Sequence, residues 1–347
     1  FAELSARLPY SAGEARYIEH AFRKKHLSVL VGWLVITTGI VSAATLSVAT
    51  IGFLQDLFPV PEMAGIIILV LSMGMIAAWG IGQSVFAVIL ITVIEVGALL
   101  YVISTGISDL PSIAVSNSEI LSDLFSTGAW IGILSGAFLG FYAFIGFEDM
   151  VNLAEEVKDV RQTLPKAIFI CVILTTILYV MASLAAITSV PPAELAQSNT
   201  PFAMVVGEGP VYASSLMVIV SMLAGINGAL VQIIMAARVA YGMASQSQAP
   251  RWFVTLHPKT QTPVKATAFM SVLILLLALF FPLITLAKAT STIILIIFAL
   301  LNLSLLWIKK RGDPVPEGSP CFPLWLPALG FIACTGILGF QLWFVLL

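Results

Sequence analysis

GILSGAFLGFYAFIGFEDMVNLAEEVKDVRQTLPKA, residues Gly132 to Ala167, starts as an apolar helix and then interrupts itself. Glycine recurs at Gly132, Gly136, Gly140 and Gly146, and the acidic pair Glu148–Asp149 arrives where a membrane helix should still be running. A glycine in a helix interior costs about 1 kcal/mol against alanine. A carboxylate at mid-bilayer costs about 2.5–3.5 kcal/mol on insertion scales. A helix that keeps both in one place has a use for them, and the rest of the chain reads as a frame around this interruption.

Composition makes the solvent a bilayer. Of 347 residues, 59% are hydrophobic and only 10% charged, and the mean hydropathy is +1.04. A soluble domain carries about a quarter charged residues. The apolar runs have the length of spanning helices and lack the period-two alternation of a barrel, so the fold class is an all-α polytopic membrane protein. Nine spans are predicted: Val29–Leu54, Met63–Trp79, Val85–Ile107, Trp130–Leu153, Ala167–Val190, Val211–Met243, Ala266–Phe281, Leu286–Ile308 and Leu324–Leu346. The sixth of these contains AGINGA (Ala224 to Ala229), which suggests a tilted or loosened helix. Ahead of the spans, Phe1–Arg7 reads as the tail of an apolar helix stopped by Pro9. Gly13–Phe22 reads as a short amphipathic helix at the membrane surface, with Tyr17, Ile18, Ala21 and Phe22 on one side and Glu14, Arg16 and Glu19 elsewhere. The chain opens on Phe1 and is read as a partial one.

Lysine and arginine assign the sides. Alternate inter-span segments hold Arg7, Arg16, Arg23, Lys24 and Lys25, then Lys158, Arg161 and Lys166, then Arg238, Arg251, Lys259 and Lys265, then Lys309, Lys310 and Arg311. Those are fifteen of the sixteen bases; the opposite loops, near Asp56, Asp109–Asp123 and Glu194–Glu208, hold none, and Lys288 lies near the outer end of its span. The positive-inside rule places the basic face in the cytoplasm. Trp130–Leu153 therefore runs inward and delivers its acidic end to the cytoplasm. Nine spans leave the C-terminal end outside, directly after an apolar run, so at least one further helix is expected.

Gly132, Gly136 and Gly140 form GxxxGxxxG, whose ordinary meaning is close helix packing. Gly146, inside FYAFIGFED, is expected to be a break. Irregular backbone at membrane depth is tolerated only where protein buries it or it lines a cavity, and discontinuous helices hold substrates and ions in transporters. Glu95 lies in the middle of LITVIEVGALL. It is a candidate proton carrier that takes up a proton when a cavity opens over it, or a carboxyl that hydrogen-bonds a neighbouring helix. Glu155, Glu156, Lys158, Asp159 and Arg161 are either ordinary helix-end charge or an inner gate whose ion pairs break during a cycle. Ser221, Asn227 and Gln232 fit polar contacts between helices.

No cofactor or metal is expected. His20, His26 and His257 fall in the basic-face segments, and Cys171, Cys321 and Cys334 have neither metal nor disulfide spacing. There is no phosphate loop, nucleophile elbow or zinc-type histidine pair, so neither an enzyme nor a nucleic-acid partner is expected.

The run GFYAFIGFEDMVNLAEEVKDVRQTLPKAI (Gly140–Ile168) resembles the sixth helix and following loop of the amino acid–polyamine–organocation superfamily of permeases. FAELSARLPYSAGEARYIEHAF (Phe1–Phe22) is similar to that family's second-helix end and inner amphipathic helix, and MAARVAYGMASQSQAPRWFVTLHPKTQTPV (Met235–Val264) to its loop after the eighth helix. The resemblance implies a LeuT-type five-plus-five inverted repeat of twelve helices with a discontinuous sixth. Residues 1–347 would form one permease domain carrying helices three to eleven. It implies a secondary transporter in the cell membrane that moves an amino acid or related amine by alternating access, proton-coupled in the first reading and an exchanger in the second. A channel or receptor-like scaffold is the rival of a different class, and the sequence has no pore-lining ring to support a channel. The backbone carbonyls of Tyr142, Ala143 and Ile145 would receive the substrate ammonium, Phe144 would gate it, Gly146 would make the break, and Glu148 would join Glu95 in proton coupling. Two departures stand out: Glu95 where many relatives have lysine, and Ala244–Ser245–Gln246 where an arginine–aspartate pair is usual.

Overall fold

The computed structural model describes residues 1–9, 13–80, 85–106, 127–207 and 211–346, with side chains omitted at 85–88, 127, 153, 155, 156, 211 and 344–346. Among the described residues there is no strand. The helices are α1 Ala2–Arg7, α2 Gly13–Phe22, α3 Lys25–Leu57, α4 Glu62–Trp79, α5 Val85–Gly106, α6 Thr127–Gly140, α7 Val160–Ser189, α8 Pro192–Leu195, α9 Pro201–Val205, α10 Val211–Ser245, α11 Val264–Phe280, α12 Leu283–Arg311 and α13 Trp325–Leu346. Among the described residues, eight segments are long and apolar enough to cross a membrane, one of them running from α6 through the break to Asn152. At 17 residues α11 is shorter, about 26 Å at 1.5 Å per residue, which still matches a thin hydrocarbon core. Among the described residues, helical segments cover the nine predicted stretches, the fourth of them interrupted at the break; Ile107, the acidic loop Asp109–Asp123 and Glu208 lie outside the described residues.

Two long helices form the spine. α3 packs along α10, burying Ile36, Ile40, Ala43 and Ala44 against Ala229, Ile233, Ala236 and Ala240. Small residues permit the approach, since tails and side chains are equally apolar in a bilayer and only tight packing distinguishes them. This removes the loosened alternative for AGINGA; the tilted one stands. α10 is one continuous helix across it, and a methyl at Gly225 would sit against the Thr50 hydroxyl. The motif serves a close helix crossing. The GxxxGxxxG expectation is also corrected: a Cβ at Gly132, Gly136 or Gly140 would meet nothing within 4 Å among the described residues.

α2 docks on protein more than its sequence suggests. Tyr17, Ile18 and Ala21 are buried as expected, but so is Glu14, at 3% exposure. Positions 14, 17, 18 and 21 share one helical face, and grouping residues by polarity hid that periodicity. The face packs on α12 and on the segment after the break, where Val151, Ala154, Ile297, Leu301 and Leu305 complete the cluster. Burial pushes the Glu14 carboxyl up to about 8, with Asp149 acting in the same direction. A folded-state pKa above the ordinary value of 4.5 means a contribution to stability complete below about pH 4.5 and lost as the pH rises through about 8. Glu14→Gln is therefore expected to raise the thermal midpoint at pH 8.5 by several degrees, change it little at pH 5, and flatten the slope between. Parallel melting curves for the two proteins across that range would contradict the assignment.

Candidate functional site

The break is built from three local decisions. α6 ends at Gly140 and tightens into a 3₁₀ turn, Phe141–Phe144. Ile145 is then extended (φ −67°, ψ 136°), and Gly146 takes φ 122°, ψ −24°, a region closed to side-chain-bearing residues. A 3₁₀ segment, Phe147–Glu156, resumes the path. The Gly146 N–H donates to Glu148 Oε2 at 2.8 Å. Glu148, 4% exposed, thus sits at the positive start of the second half, where a carboxylate is favoured. Asp149 accepts from Gln232 Nε2 of α10 at 2.9 Å, which ties the second half to the spine.

The first half is tied by hydroxyls and rings. The Tyr142 hydroxyl donates to the Ser42 carbonyl of α3 at 3.3 Å. The Tyr179 hydroxyl of α7 donates to the Ala143 carbonyl at 2.9 Å, and its ring meets Phe144 edge-on at 5.2 Å. Phe298 of α12 takes Phe141 and Phe147 edge-on at 5.7 and 5.6 Å, one from each side of the break. The Tyr142 carbonyl accepts the Ile145 N–H at 3.2 Å. The Ile145 carbonyl accepts no hydrogen bond among the described residues. Of the three carbonyls named for a substrate ammonium, one is free, one is held by Tyr179 and one closes the local turn.

Glu95 lies on α5, which packs against α7. Its Oε1 is buried without a hydrogen-bond partner, and it is near enough to Tyr179 to interact electrostatically. Tyr179 is thus bonded to the Ala143 carbonyl on the helix that packs against the one carrying Glu95. Sequence reading passed over it: a lone tyrosine in an apolar span gives no signal until the helix facing it is known.

The proposed inner gate is not assembled from the side chains the structure describes. Those of Glu155 and Glu156 lie outside the described residues; Lys158 and Arg161 are exposed and make no ion pair among the described residues. The ion pairs of the basic face lie elsewhere. Glu3 is shared by Arg7 (2.8 Å) and Lys309 (2.6 Å), and Asp313 is shared by Arg311 and His20. At the opposite face, the Thr200 hydroxyl donates to Asp56 at 2.5 Å, beside a cavity of about 600 Å³ lined by residues of α3, α9 and α10.

The family described as "Amino acid permease" matches residues 1–346. The branched-chain amino acid permease BcaP of Bacillus subtilis is 26% identical, over 96% of this chain and 75% of that protein. The cationic amino acid transporter 3, mitochondrial, of Arabidopsis thaliana is 26% identical, over 90% and 54%. The Asc-type amino acid transporter 1 of Mus musculus is 30% identical, over 77% and 52%. The chain thus spans three quarters of the bacterial relative and about half of the plant and mouse ones.

Proposed function

The chain belongs to the amino acid permease family, a non-enzymatic class of multi-pass membrane proteins, and from that premise we propose that it carries an amino acid or a related amine across the cell membrane by alternating access, coupled to proton entry. The observation that carries the reading is the break at Gly146, beside which the Ile145 carbonyl, within a membrane-length apolar segment, accepts no hydrogen bond among the described residues. An unpaired carbonyl there costs several kcal/mol, and an ammonium group offsets that cost better than any neutral ligand. Ala143 is the second acceptor once Tyr179 yields it, and Phe144 closes over the substrate. In this reading the nine spans are helices three to eleven of twelve, in a five-plus-five inverted repeat, and a substrate carboxylate meets N–H groups of the first helix. Lys158 and Arg161, with Glu155 and Glu156, line the inner exit.

The test is transport by the full-length protein in liposomes. Labelled amino acids of branched, cationic and small neutral type are expected to accumulate only with an inward proton gradient. Exchange that ignores the gradient would replace symport by antiport. Movement of no amino acid or amine in either mode would remove the transport reading.

A further inference from the structure

On the basic face, α1, α2 and the end of α12 border an open cavity of about 440 Å³ lined by Arg7, His20, Arg23, Arg311 and Asp313, with apolar walls from Leu8 and Ile308. Its charges do not balance. Arg7 and Lys309 share Glu3, and Arg311 and His20 share Asp313, so each carboxylate serves two bases. Arg23 is exposed, and its side chain has no ion pair or hydrogen bond among the described residues. Among the described lining residues, Arg7, Arg23 and Arg311 thus meet one carboxylate, Asp313, with Arg7 also sharing Glu3 with Lys309 outside the wall, and His20 adds to the excess when protonated.

The backbone at Arg23 adds an independent observation. Its φ is 55°, the left-handed conformation that costs a side-chain-bearing residue about 1–2 kcal/mol and that glycine adopts freely. This left-handed residue ends α2, its N–H donating to the Glu19 carbonyl at 2.8 Å, and sets Arg23 in the cavity wall. The rest of the wall is held in place from within the protein. Arg311 donates to the Ala21 and His20 carbonyls at 3.1 and 3.2 Å, and Arg7 donates to the Asp313 carbonyl at 3.2 Å. The site is therefore built before any ligand arrives. Trp307, 53% exposed, lies one turn before Arg311 on α12 and packs against Phe22 at 6.4 Å. An exposed tryptophan near a span end marks the level of the lipid headgroups.

We propose that this cavity is a phosphate-binding site, placed and sized to take the headgroup of an anionic lipid in the leaflet on the basic face. Guanidinium forks match phosphate oxygens in geometry and charge, and clustered arginines at this level attract anionic headgroups. A bound phosphate would join α2 to the end of α12 and so brace the helix that packs on the broken segment.

The test uses full-length protein in a neutral detergent, titrated with dioctanoyl phosphatidylglycerol, dioctanoyl phosphatidylcholine or inorganic phosphate, with thermal midpoint and Trp fluorescence as readouts. The anionic lipid is expected to raise the midpoint saturably, and the zwitterionic lipid is not. Arg23→Ala should weaken the response about tenfold, the loss of one charge-assisted contact. Arg23→Lys should retain part of it, and Lys259→Ala, which removes an exposed charge elsewhere on the same face, should leave it unchanged. Inorganic phosphate acting at the same site, with the same dependence on Arg23, would support the phosphate site and make its source soluble. Equal responses to the two lipids with no effect of inorganic phosphate, or equal effects of Arg23→Ala and Lys259→Ala, would overturn the proposal.

Discussion

Gly146→Leu is expected to lower substrate affinity by about a hundredfold or more, while Gly136→Ala changes it by less than about twofold. The asymmetry follows from backbone geometry. At φ 122° a leucine Cβ collides with its own main chain, so the residue must move to another region at a cost of about 1–3 kcal/mol or leave the segment misfolded. Either movement withdraws the Gly146 N–H from Glu148 and turns the Ile145 carbonyl, the next group in the chain. The site then loses its free acceptor and its cap together. At Gly136 the backbone is ordinary helix, and an added methyl meets nothing within 4 Å, so alanine brings only its better helix propensity, about 1 kcal/mol. Binding of labelled substrate to detergent-purified protein measures the difference, with melting curves to separate lost affinity from lost fold. A larger defect in Gly136→Ala than in Gly146→Leu would return the glycine pattern to helix packing and remove the break from the binding site.

What the sequence made legible divides along physical lines. The spans could be read because bilayer thickness sets a length that no soluble helix needs, while the alternation of fifteen bases carries a side assignment as an expectation of the positive-inside rule. Gly146 stood apart from Gly132, Gly136 and Gly140 through its acidic neighbours, before any dihedral angle was known. Glu14 was misplaced because its charge argued for solvent, whereas its spacing from Tyr17, Ile18 and Ala21 argued for burial, and the spacing prevailed. The loosened alternative for AGINGA failed because glycines loosen an isolated helix but tighten a packed one, and the partner surface at Leu46 and Thr50 lies some 175 residues away in sequence. Tyr179, Phe298 and the Glu3–Arg7–Lys309 cluster escaped for the same reason: each has a role only toward a residue distant in the chain.

Glu95→Gln is expected to cut proton-driven accumulation at least about tenfold while leaving substrate binding and gradient-free counterflow near their original levels. Glutamine keeps the size and one carbonyl oxygen of glutamate but cannot exchange a proton. Glu95 Oε1 is buried with no hydrogen-bond partner among the described residues, so the change is expected to cost the fold little. An intramembrane carboxyl without such a structural duty is one whose retention points to function. Tyr179, on the helix packed against that of Glu95, holds the Ala143 carbonyl and is the candidate link from Glu95 to the substrate. A charge change at Glu95 would shift that hydroxyl, and with it the availability of Ala143 to the substrate ammonium. Tyr179→Phe keeps the ring against Phe144 and deletes the hydroxyl, so it should uncouple uptake from the gradient in the same way. The double variant should be no worse than either single one, because residues acting in series show strongly non-additive effects. Accumulation ratios measured against the imposed pH difference decide the matter: unchanged proton-driven uptake in Glu95→Gln would exclude it from coupling, and purely additive losses would show that Tyr179 acts on the substrate independently of Glu95.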